Sequence, residues 1–306
     1  MPEPVLPHPT VQHHTLAERE LLFALPPENA RVRPMPLLFI HGAFAAAWMW
    51  ADNFLPWFAG QGYPSYAISL SGHGKSAGGD DLDHLAIADY VEDVEIAVAW
   101  LQERYPRLPA LIGHSMGGFV LQKYLERHRA PAAALLCAVP PQGLLLSQFS
   151  LLARKPGLLM ELNNILRGNE VKLETVREAL FAQPVDRAIL RRFGECLQLE
   201  SQRALWDMSV FDLPLLTADS RPPLLVIGAE KDELVPAFLV QATARTYSLE
   251  AHLFKGMGHA VTHEQDWPRV AEKVRDWLDE IQRTEDRKVA DPSNRLMTEP
   301  RLVPCF

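Results

Sequence analysis

Ser115 sits in the run A-L-I-G-H-S-M-G-G-F-V, with Gly113 and Gly117 two residues to either side. The apolar Ala110–Ile112 predicts the end of a buried strand. From Met116 the apolar spacing at Phe119, Val120 and Tyr124 predicts a helix. G-x-S-x-G at a strand-to-helix join suits a sharp, strained turn: the glycines let strand and helix approach closely, and one hydroxyl is pushed out of the fold. A serine hydroxyl is a poor nucleophile unless a base takes its proton and an acceptor orients that base. Downstream, Asp232 follows the predicted strand Leu224–Ile227 in G-A-E-K-D, and His259 follows Ala251–Phe254 in K-G-M-G-H. Both candidates lie just past a strand end, so the order Ser115, Asp232, His259 puts all three on one rim of a sheet. Glu230 and Glu233 are alternative acids and His263 an alternative base. Two glycines before His259 permit a tight loop that aims its imidazole inward. Acyl transfer also needs donors for the developing oxyanion, each typically worth about 10²–10³ in rate. One is expected from the backbone NH of Met116. The second is expected from the His41-Gly42-Ala43 turn, with Ala43 preferred over Phe44, and the His41 side chain is read as structural.

The elements that must bring these residues together alternate from Pro36 onward. Short apolar strands are predicted at Leu37–Ile40, Ser65–Leu70, Ala110–Ile112, Ala132–Ala138, Leu224–Ile227 and Ala251–Phe254. Amphipathic helices are predicted at Trp48–Gly60, Leu85–Tyr105, Met116–His128, Pro236–Tyr247 and Pro268–Arg283. That rhythm predicts an α/β fold, a mostly parallel doubly wound sheet with helices on both faces. One interval breaks it: residues 140–221, rich in Leu, Arg and Glu, read as helices such as Leu173–Phe181 and Asp186–Trp206. This segment is expected to be an inserted helical cap above the C-terminal edge of the sheet, where open α/β folds bind ligands. The core is then 1–139 with 222–283, opened by an antiparallel hairpin around Leu21–Leu25, and 284–306 is a charged, proline-containing tail.

Phe44, Trp48 and Phe119 near the turns, with Leu144, Phe149 and Trp206 in the insertion, are the candidate substrate-binding residues; as a set they suit an apolar acyl or alkyl group. The partner expected is a small-molecule ester, and the chemistry needs no cofactor. At 306 residues and 48% hydrophobic content the chain can bury a large core. A net charge of −8 argues against nucleic acid. Cys137, Cys196 and Cys305 are odd in number and widely spaced, which suggests neither a disulfide framework nor a zinc site and fits a reducing, cytoplasmic location. The N-terminal run M-P-E-P-V-L-P-H-P lacks the pattern of a secretion signal. Gly143–Ala153 is too short and too polar, with Ser147, Gln148 and Ser150, to enter a bilayer stably. No metal is expected, because His8, His13 and His14 lack ligand spacing. Gly74-Lys75-Ser76 resembles the end of a phosphate loop, but Ser69 stands where the first glycine is required.

Five landmarks in order carry a resemblance to the α/β-hydrolase superfamily, in its serine esterase and lipase-like branch with a helical cap: H-G-A-F-A-A-A-W at 41–48, S-G-H-G-K-S at 71–76, G-H-S-M-G-G at 113–118, V-I-G-A-E-K-D at 226–232 and G-M-G-H at 256–259. The resemblance covers roughly Pro36 to Arg283. It implies about eight strands, a cap at the insertion, and cleavage of a carboxylic ester, thioester or lactone through an acyl-enzyme. The first landmark also resembles plant methylesterases and hydroxynitrile lyases, the third monoglyceride-lipase-like members. Cofactor-free haloperoxidases (perhydrolases) and carbon–carbon hydrolases share the frame and would keep the same three residues, while a ligand receptor on a retired frame would not need them. Serine at the elbow argues against dehalogenase or epoxide hydrolase chemistry, which uses aspartate there.

Overall fold

The computed structural model describes residues 9–166, 169 and 172–290. Its strands are β1 (Gln12–Leu16), β2 (Arg19–Ala24), β3 (Leu37–Ile40), β4 (Ser65–Ile68), β5 (Ala110–His114), β6 (Ala133–Leu136), β7 (Leu224–Ala229) and β8 (His252–Phe254). They form one sheet in the order β1-β2-β4-β3-β5-β6-β7-β8. β1 and β2 form the expected antiparallel hairpin and β2 pairs antiparallel with β4; every other pairing is parallel. The sheet is therefore mixed, with eight strands.

The helices are α1 (Trp48–Ala51), α2 (Phe54–Gly60), α3 (Ile87–Gln102), α4 (Met116–Tyr124), α5 (Leu145–Arg154), α6 (Pro156–Leu166), α7 (Leu173–Leu180), α8 (Arg187–Cys196), α9 (Gln202–Trp206), α10 (Ala237–Thr246) and α11 (Trp267–Ala290). Alternate residues of β3 serve opposite faces of the sheet. Leu38 and Ile40 join the apolar cluster with α3, α4 and α10, while Leu37 and Phe39 join the one with α1, α2 and α11. Burial on both faces is why these strands are apolar without alternation. Helices α5 to α9 lie between β6 and β7, filling the predicted interruption.

Several boundaries differ from the sequence reading. The helix expected over 48–60 is two, α1 and α2, and the one expected over 186–206 is broken between Cys196 and Gln202 into α8 and α9. Ser201 caps α9, its Oγ accepting the Ala204 NH at 3.1 Å. Helices α5 and α6 fall in the interval expected to be helical, at bounds that the sequence reading does not specify. The last helix runs to Ala290 rather than stopping at Arg283, so the tail begins later than expected, and residues 291–306, Cys305 included, lie outside the described residues. Among the described residues no helix is long and apolar enough to cross a membrane.

Candidate active site

Ser115 occupies the joint between β5 and α4 with φ 52° and ψ −116°, a conformation that side chains rarely adopt. The surrounding backbone leaves it little choice. A Cβ on Gly117 would lie 2.4 Å from the carbonyl oxygens of both Ile40 and His41, and one on Gly113 would lie 2.5 Å from the Gly117 carbonyl oxygen. Only glycine lets the first turn of α4 sit against the ends of β3 and β5. Hydrogen bonds fix the turn further: the Ser115 NH donates to the Leu136 carbonyl at 3.0 Å, and the Ser115 carbonyl accepts the Val139 NH at 3.1 Å. Strain held in place this firmly is typical of functional positions.

The other two candidates come from the loops after β7 and β8. His259 Nδ1 donates to Asp232 Oδ2 at 2.8 Å, and both residues are buried. Asp232 Oδ1 accepts the NH groups of Leu234 and Val235, each at 2.8 Å, so one oxygen anchors the loop while the other holds the imidazole. The alternatives are engaged elsewhere. Glu230 accepts the Gly256 NH at 3.0 Å, Glu233 pairs with Arg154 at 2.7 Å, and His263 Nδ1 lies 2.9 Å from the Thr262 hydroxyl.

Two further histidines beside the site, His41 and His114, are held neutral. His41 Nδ1 donates to the Gly42 carbonyl at 2.8 Å and its Nε2 accepts the Leu70 NH at 3.0 Å, the structural use expected of it. Burial, with His73 nearby, pushes its pKa down to about 3. His114 donates from Nε2 to the His259 carbonyl at 2.9 Å, and burial beside His259 likewise pushes it to about 3. Burial and the adjacent Asp232 carboxylate push the Cys137 thiol well up, so it stays protonated. Cys137, Asp232 and His259 place potential metal-ligand atoms within 4.8 Å of one another, the one such group among the described residues. Asp232 and His259 already satisfy each other and the third member is a protonated thiol, so the donor set suits hydrogen bonding better than a metal.

Met116 opens α4, and among the described residues neither its NH nor that of Ala43 has a hydrogen-bond partner, as two donors facing a ligand would require. The alternative, Phe44, donates its NH to Glu200 Oε2 at 3.4 Å.

Ser115, Met116, Ala43 and His259 share one cavity of about 240 Å³. Its wall is chiefly apolar and draws on both the sheet rim and the insertion. Of the six residues proposed from sequence to bind substrate, Phe44, Trp48 and Leu144 line it. The other three do not. Phe119 is fully buried in the cluster between the sheet, α3 and α4, on the side of its helix facing the core. Phe149 is 65% exposed, because five residues of helix rotate it by about 140° from Leu144. Trp206, 57% exposed at the end of α9, rests beside Phe211.

Leu151, Leu162, Val176 and Phe193 of the insertion were missed and do line the cavity. A signal for the first was present: Leu144, Gln148 and Leu151 recur at i, i+4 and i+7, a helical stripe within Gly143–Ala153. Nothing local marked Glu264. Buried after β8, its Oε1 accepts the NH groups of Gly258 at 2.6 Å and Ala182 at 2.7 Å, tying the His259 loop to the insertion.

The chain matches the model of the alpha/beta hydrolase family over residues 37–273. It is 28% identical over 236 residues to a monoacylglycerol lipase from Mycolicibacterium smegmatis (strain ATCC 700084 / mc(2)155), covering 72% of this chain and 80% of the relative. A non-heme haloperoxidase from Rhodococcus erythropolis is 36% identical over 112 residues, 35% of this chain and 38% of the relative. In three dimensions the chain resembles the crystal structure of a putative lipase from Acinetobacter baumannii AYE, with a TM-score of 0.68 and 15% identity over 90% of this chain and 93% of the other. The matched span takes in β3 through the start of α11, and with it the elbow and both loops that hold the Asp232–His259 pair: the chain belongs to the alpha/beta hydrolase family.

Proposed function

We propose that this protein is a serine hydrolase that cleaves a carboxylic ester bearing an apolar acyl or alkyl group, through an acyl-enzyme on Ser115. The observation that carries the reading is the 2.8 Å contact between Asp232 and His259, with His259 opening onto the same apolar cavity as the strained Ser115. In this scheme His259 Nε2 takes the hydroxyl proton as Ser115 Oγ attacks the ester carbonyl. Asp232, held by two backbone NH groups, fixes the imidazole with its Nδ1 proton toward the carboxylate and stabilises the imidazolium that forms. The NH groups of Met116 and Ala43 receive the oxyanion. His259 then protonates the departing alkoxide, the alcohol leaves, and water activated by the same imidazole releases the acid.

The apolar wall supports the substrate class, as does the relative named a monoacylglycerol lipase, which makes a glycerol monoester the first natural substrate to try. The insertion's contribution to the cavity wall supports its reading as a cap. Reaction with a fluorophosphonate and hydrolysis of short p-nitrophenyl esters test the scheme. Ser115→Ala should abolish both, and undiminished turnover in that variant removes the nucleophile from the mechanism.

The haloperoxidase relatives favour a second activity of the same acyl-enzyme, attack by hydrogen peroxide instead of water to give a peracid. Bromination of monochlorodimedone by hydrogen peroxide and bromide in acetate, where the peracid oxidises bromide to the brominating species, is its test, and it should be lost in Ser115→Ala.

A further inference from the structure

The break between α8 and α9, where a single helix was expected, places residues 197–201 against the turn that carries Ala43. Phe44 in that turn has φ 63°, a left-handed conformation that costs a non-glycine residue about 1–2 kcal/mol unless its surroundings enforce it. Both of its peptide groups are held by this one segment. The Phe44 carbonyl accepts the Gln198 NH at 3.0 Å, and the Phe44 NH donates to Glu200 Oε2 at 3.4 Å.

The segment is itself anchored on two sides. The Gln198 side chain accepts the Gly74 NH at 2.8 Å and donates to the Gly72 carbonyl at 2.9 Å. The Glu200 carboxylate accepts the Tyr90 hydroxyl at 2.7 Å, the Ser201 NH at 2.8 Å and His73 Nε2 at 3.1 Å. His73 Nδ1 faces the Ser71 carbonyl at 2.9 Å, so acceptors meet both ring nitrogens and the imidazolium is the form that satisfies them. Burial opposes that charge, yet Glu200 beside it raises the pKa of His73, and His73 in turn lowers that of Glu200 against the same opposition. A charged pair with no exposed side-chain surface, built between an insertion residue and the 71–76 loop, is a costly device for simple adhesion.

We propose that Gln198–Glu200 is a positioning strut for the oxyanion site: it holds Phe44 in its left-handed conformation and thereby aims the neighbouring Ala43 NH at the reacting carbonyl. The inference rests on the hydrolase reading above and deepens it. Glu200 is a positioning residue, acting through the Phe44 backbone. A donor displaced by about 1 Å can cost about 10²-fold in rate, and the loss falls on the transition state rather than on ground-state binding.

The experiment compares Glu200→Ala and Glu200→Gln with the parent full-length chain on a short p-nitrophenyl ester. Each kcat is expressed per site titrated by fluorophosphonate, with KM and Tm measured in parallel. Glu200→Ala should lower kcat about 30- to 100-fold with KM within about threefold. Glu200→Gln retains the volume and a carbonyl acceptor for the Phe44 NH but loses the charge that pairs with His73, so it should fold even where the alanine variant does not, and should lower kcat by a smaller factor, about three- to tenfold. If per-site kcat in Glu200→Gln and in any folded Glu200→Ala stays within twofold of the parent while Tm falls, the segment is only structural and the strut is refuted. If Ser115→Ala hydrolyses as fast as the parent, the hydrolase reading fails and the strut with it.

Discussion

Around Ser115 the backbone itself fills the space, carbonyls of β3 and the first turn of α4 meeting across glycines, whereas along α5 to α8 the cavity is lined by residues with large apolar side chains, Leu151, Leu162 and Val176 among them. The first region leaves no room for change: a methyl group on Gly117 would land 2.4 Å from two carbonyl oxygens. The second exposes large apolar groups on its outer side, Leu146, Phe149 and Met160 among them, and presents Leu151 and Val176 inward. The nucleophile proposed at Ser115 needs sub-ångström placement, which backbone packing provides. An apolar wall needs only shape and volume, which side chains can vary. Substitutions in the two regions should therefore differ in kind as well as in size.

The largest contrast lies in the chemistry. Asp232→Asn should lower kcat about 10⁴-fold with little change in KM, as expected when the orienting acceptor of a catalytic imidazole is lost. A loss confined to KM would move Asp232 from the reacting group to the wall. Gly117→Ala should then cost about 3 kcal/mol or more through overpacking against backbone that cannot yield, a Tm drop of roughly 6–12 °C. A variant as stable as the parent would show that the elbow is looser than its geometry. On the insertion side, Val176→Ala enlarges an apolar wall, and a steady-state comparison of acyl chain lengths should show kcat/KM shifting about tenfold toward longer acyl groups, with kcat for the preferred chain nearly unchanged.

The seam between the regions gives a pH signature. His73, its pKa raised, contributes stability that is full below its ordinary value of 6.5 and is lost as pH rises through the raised value. Glu200, its pKa lowered, contributes stability that is full above its ordinary value of 4.5 and is lost as pH falls through the lowered value. Both contributions overlap between pH 4.5 and 6.5, so the Tm difference between the parent and Glu200→Gln should be greatest there and shrink on either side. A difference independent of pH would mean the pair is not ionic. The smallest effect belongs to the outer face: Phe149→Ser should change stability by no more than about 0.5 kcal/mol and leave turnover of a soluble ester unaltered. A marked change in either would place Phe149 closer to the site than its exposure indicates.

The elbow was legible because G-x-S-x-G between an apolar run and a helical stripe is a local pattern, fixed by backbone sterics within ten residues. Asp232 and His259 were legible as loop residues after strands, since strand ends can be read from short apolar runs. The wall was not. Phe149 and Leu144 look equivalent until the axis of α5 is known, and Phe119 looks like a pocket residue until the sheet is seen to claim that face of α4.

By itself the chain dictated the alternation of strand and helix, the place of the insertion and the order of serine, acid and histidine, because each follows from periodicity or from steric limits on a few neighbouring residues. Tertiary structure alone decided that Asp232 rather than Glu230 touches His259, that the expected helix over 186–206 opens to clamp Phe44, and which side of α5 meets the cavity. Those outcomes depend on contacts between residues tens to more than a hundred positions apart, and no local pattern encodes a distance that only the packed chain sets.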